Sequence, residues 1–79
     1  MSLEGKKVTY AKMHAGIHTP QSGQLKDTLT AVGDPSNAPV KMVIEGGFVK
    51  VTAKNASTKR EVDILVPLTN FTHLVLADQ

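Results

Sequence analysis

His14 and His18 stand four residues apart, the spacing at which one helix face presents two imidazoles to a metal ion. Such a pair needs a helix to align it and further ligands to complete the shell. Gly16 lies between the two, Thr19-Pro20 follows, and both features disfavour a helix. No carboxylate or cysteine lies close by in sequence, so only His73, brought in across the fold, would extend the set. No metal and no other cofactor is expected. Ser22, His18 or His14, and Asp27 supply the residue types of a nucleophile, its base and an orienting group. That relay works inside a water-excluding pocket, and a chain of 79 residues has little room for one of the usual ~300 Å3 or more. Gly46-Gly47 lacks the Lys-Ser/Thr pair and the helix of a phosphate cradle. These residues predict a protein that is not an enzyme.

Binding is the remaining activity. Residues 14–24 hold two glycines and a proline and are expected to form a long irregular loop, the type of segment that carries function on a rigid scaffold. His14, Ile17, His18 and Gln21 mix apolar and polar character, which suits a protein partner. Val43 and Phe48 join them as apolar residues on an otherwise wet strand face. The alternative partner is nucleic acid, with Lys50, Lys54, Lys59 and Arg60 on phosphates and Phe48 or Tyr10 stacking a base. Against it, the formal charge is +2 from nine basic and seven acidic residues, and the lysines are scattered rather than striped.

These side chains must be positioned by strands. Val40 to Ala53 reads as a β-hairpin about Gly46-Gly47, since glycine supplies the positive φ of a two-residue turn. Closing it at Glu45 and Phe48 sets Ile44 opposite Val49, Met42 opposite Val51, and Val40 opposite Ala53, all on one face. Lys41, Val43, Glu45, Phe48, Lys50 and Thr52 take the other face. Upstream, residues 6–13 predict a strand with Val8 and Tyr10 inward and Lys7 and Thr9 outward. Residues 25–32 predict another, because Thr28, Thr30 and Val32 favour extension over the helix-like spacing of Leu25, Leu29 and Val32. Residues 33–39 are dense in turn formers, and a loop at 55–59 follows the hairpin. Residues 60–66 alternate, with Val62, Ile64 and Val66 on one side and Glu61 and Asp63 on the other. The last strand, 71–76, contains Leu74-Val75-Leu76 in succession and is expected to be covered on both faces.

The pattern is all-β: a small five- to six-stranded barrel or compact sandwich in a single domain over residues 1–79. Strand, irregular loop, strand, turn, tight hairpin, strand, kink and strand form an order that resembles an SH3-like barrel. Val66-Pro67-Leu68-Thr69-Asn70-Phe71 resembles the proline-then-Asn-aromatic step before the last SH3 strand, one residue longer. Peptide-binding SH3 domains line a groove with several aromatics, whereas Tyr10, Phe48 and Phe71 are the aromatics here. The resemblance therefore implies a fold and not polyproline binding. The whole chain, with its Pro20–Gly23 loop and its Val66-Pro67…Asn70-Phe71 ending, is similar to short proteins of tailed bacteriophages. That likeness implies an accessory protein acting on a host or phage protein, or a structural virion component.

With no cysteine, a core this small lacks a disulfide staple, and homo-oligomerisation through edge strands is expected. No apolar run reaches the ~18 residues of a membrane span, and no charged-then-apolar leader opens the chain. No membrane partner is expected, and the expected location is the cytoplasm, that of the host if the chain is phage-encoded.

Overall fold

The computed structural model describes residues 3–35 and 38–77. The turn read at 33–39 includes Ser36 and Asn37, which lie outside the described residues. The described residues form six strands in chain order: β1 (Val8–His18), β2 (Leu25–Thr30), β3 (Lys41–Glu45), β4 (Phe48–Lys54), β5 (Glu61–Pro67) and β6 (Phe71–Leu76). A single 3-10 turn at Leu68–Asn70 separates the last two. The strands form two antiparallel three-stranded sheets, β2-β1-β6 and β3-β4-β5. The sheets meet along one seam without merging into a closed barrel: Lys7 bridges Val43, and the Val40 N–H donates to the Thr30 carbonyl at 3.0 Å. No helix of the described residues is long and apolar enough to cross a membrane.

The hairpin forms in the expected register. Glu45 faces Phe48, Ile44 faces Val49 and Met42 faces Val51. Gly46 and Gly47 take φ of 55° and 83°, a pair of left-handed residues whose twist matches that of the flanking strands. Val40, Met42, Ile44, Val49, Val51 and Ala53 are all buried and make up more than half of the core, with Val8, Ala11, Met13, Leu29 and Val66 completing it. The chain ahead of β1 holds the turn in place. Glu4 accepts the Gly46 N–H on both carboxylate oxygens at 3.0 and 2.9 Å, and Gly5 and Lys6 bond the backbone of Ile44.

Three expectations need correction. The first strand does not stop at Met13: β1 runs on to His18, so 14–18 is strand and the loop shrinks to 19–24. Gly16 allows this instead of breaking it. A Cβ there would lie 3.2 Å from both Leu25 and the Lys26 carbonyl, so glycine admits a close approach of β2. The pairing steps from Lys12–Thr28 to Ile17–Lys26, which puts the surplus residues of β1 in a wide bulge. The second correction is to the inward face of β1. Val8 faces Leu76 but Tyr10 faces Val75, so β1 spends two residues where β6 spends one. This bulge reverses the alternation: Ala11 and Met13 turn inward and Tyr10 outward. Third, β6 is not covered on both faces. It is a sheet edge, and Val75 is exposed while Leu74 and Leu76 pack against the core.

Candidate functional site

Strand alternation builds the outer face of the β3-β4-β5 sheet. With Val49, Val51, Val66 and Ile64 turned to the core, the intervening residues of β4 and β5 must point outward. Phe48 lies directly opposite Pro67, and Lys50 lies opposite Leu65. Phe48 remains 39% exposed and Leu65 59% exposed, and Pro67 is exposed beside them. Three apolar side chains therefore share one end of a wet face, with half-buried Val43 opposite Lys50 on the far strand. Cross-strand neighbours in such pairs sit about 5 Å apart, so Phe48 and Pro67 adjoin, and Leu65 is the next residue along the same face of β5.

An ion pair and a hydrogen bond frame this patch. The Lys50 ammonium lies 3.0 Å from a Glu45 carboxylate oxygen. The hydrogen bond to Glu45, then the charge of that carboxylate, raises the Lys50 pKa above its ordinary value of 10.5. Thr52 donates its hydroxyl to Asp63 at 2.7 Å, and Lys54 lies opposite Glu61. Two of the four cations read as phosphate ligands are thus interleaved with acids on this face: Lys50 is held by Glu45, and Lys54 stands opposite Glu61. Lys59 and Arg60 are exposed in the 55–60 loop, where Lys59 is held at φ 63°.

The 14–24 segment is organised differently. His14 is exposed, whereas Ile17 packs against the core. His18 bonds through Nδ1 to the Gly23 carbonyl at 2.9 Å, closing its own turn. The half-buried Gln21 donates from its amide to the carbonyls of Ala38 and Pro39 at 3.4 and 3.2 Å. Its backbone carbonyl accepts from Ala56, and the Pro20 carbonyl accepts from the Asn55 amide. Thr19 and Pro20 are buried. From the other side, Asn70 brackets Ala15, accepting its N–H at 3.1 Å and donating to its carbonyl at 3.0 Å. The polar groups of this segment are largely spent on the protein itself.

The residue types of a hydrolytic relay go their separate ways. Ser22 contacts Thr19, His18 contacts Gly23, and Asp27 contacts Lys12 and Thr28. Among the described residues no three His, Asp or Glu side chains converge to hold a metal ion. Of the six residues read as a partner surface, the structure brings Val43 and Phe48 onto one face and leaves the other four on β1 and the 19–24 turn. Leu65 and Pro67 were missed. Their signal was the β5 alternation itself, which assigns Val62, Ile64 and Val66 inward and thereby strands an apolar Leu65 outside.

Known relatives do not decide the matter. Comparison with protein families, with curated proteins and with solved structures finds no match to this chain.

Proposed function

We propose that this chain is a non-enzymatic binding module, of the small accessory kind encoded by tailed bacteriophages, that docks onto a protein partner. The docking surface is the outer face of β3-β4-β5, centred on Phe48, Leu65 and Pro67. The observation that carries this reading is the exposure of those three side chains together on a fully registered sheet. Apolar groups clustered on an outward face add nothing to the core and favour association. Aromatic and apolar anchors on an ordered scaffold also lose little entropy when a partner covers them. The two sheets, strand order and 3-10 step between β5 and β6 support an SH3-like arrangement, in which Phe48, Leu65 and Pro67 lie on β4 and β5, away from the seam at β3.

The test compares the protein with a Phe48→Ser, Leu65→Ser double variant as baits on a bacterial lysate, after thermal melting shows both are folded. A protein retained by the first and lost by the second supports the reading. Identical retained sets contradict it.

A further inference from the structure

The β3-β4-β5 sheet ends at β5, and among the described residues no strand pairs with its far edge. The backbone direction along that edge follows from the register. The Asn55 N–H donates to the Arg60 carbonyl, and the Leu68 N–H donates to the Gly47 carbonyl. Bonded pairs recur every second residue in an antiparallel ladder, and the pairing from Phe48–Pro67 to Lys54–Glu61 has no register shift. Val62, Ile64 and Val66 therefore turn their peptide groups toward β4. Glu61, Asp63, Leu65 and Pro67 turn theirs outward. Pro67 has no N–H to lose there, so the edge ends in a residue that stops further pairing.

The side chains on this edge select its occupant. A second copy of β5 is disfavoured: centring the antiparallel pairing on Asp63 places Asp63 against itself, and centring on Val62 places Glu61 against Asp63. Centring on Ile64 sets Glu61 against Pro67, and centring on Leu65 sets Asp63 against Pro67; in both a ladder bond is missing. The fold itself displays a better complement. On its paired side, β5 sets Lys54 against Glu61 and Thr52 against Asp63. We infer that the free edge of β5 receives an extended, basic strand of a partner protein in antiparallel pairing. That strand carries Lys or Arg opposite Glu61 and Asp63 and an apolar residue opposite Leu65, with apolar residues between them extending the inner face beside Val62 and Ile64. This deepens the docking reading above and rests on it, since the added strand continues the face that holds Phe48 and Leu65.

The probe is the peptide acetyl-Thr-Leu-Val-Lys-Val-Lys-Thr-amide, added to the full chain while backbone amide exchange is followed by NMR. Slowed exchange at Glu61, Asp63 and Leu65 is expected, with Val62, Ile64 and Val66 already protected. Methylating the backbone nitrogen of the first lysine preserves its charge but removes an edge bond, and should abolish the slowing. Reversing the acids with Glu61→Lys and Asp63→Lys should weaken binding about tenfold or more. Three results would overturn the inference: no slowing at millimolar peptide, equal slowing by the methylated peptide, or slowing that follows protein concentration without peptide. A lysate partner lost with Phe48→Ser, Leu65→Ser but kept with the Lys pair would leave the docking face standing and remove the edge strand.

Discussion

The outer face of β3-β4-β5 and the 19–24 turn are both surface features, yet they use their residues in opposite ways. At the turn, Gln21 and the Pro20 carbonyl bond to Ala38, Pro39 and Asn55, His18 at the end of β1 bonds to the Gly23 carbonyl, and Thr19 and Pro20 are buried. On the sheet face, Phe48, Leu65 and Pro67 rest on a regular ladder with their apolar surface uncovered. Irregular backbone is not in itself a sign of function. What separates the two regions is whether their side chains already have a use within the fold.

The contrast can be broken by substitutions that move stability and binding separately. The largest effect is expected for Gly47→Val, which forces a β-branched residue to φ 83° where no neighbour crowds it. The cost is conformational, about 2 kcal/mol or more, and lowers Tm by roughly 10 °C. An unchanged melt would mean the hairpin tolerates another turn. Asn70→Ala removes both bonds to Ala15 and should cost about 1–2 kcal/mol in chemical denaturation. Gln21→Ala should cost about 1 kcal/mol while leaving partner retention intact. Leu65→Ser should reverse that outcome, with stability within about 0.5 kcal/mol and retention lost. The smallest effect concerns pH. Glu45 raises the folded pKa of Lys50, so its contribution is complete below 10.5 and fades as pH rises through the raised value. Melting between pH 9 and pH 12 should show that fade reduced in Glu45→Gln.

The hairpin was legible to the residue because two strong signals coincide: strict alternation and a glycine pair that fixes the turn. The order of the remaining strands was also readable from turn residues. The phase of β1 is not legible, because it depends on where the pairing with β6 and β2 slips out of step, and that is set by the partner strands. Local alternation assigns Tyr10 inward, and the bulge at Val8–Tyr10 reverses it. Gly16 carried the right composition for a break, yet it serves a close approach that only tertiary context reveals. The same limit applied to the site. Phe48 and Val43 were visible from the hairpin register, whereas Leu65 and Pro67 joined them only once β5 was laid beside β4.

The central claim is that a partner covers the sheet face and not the turn. A photo-crosslinking residue placed at position 65, and in a second variant at position 24, tests this in a single lysate experiment read by mass spectrometry. The account predicts a discrete crosslinked partner from position 65 and none of that partner from position 24. A partner captured at position 24 and absent at position 65 would contradict it.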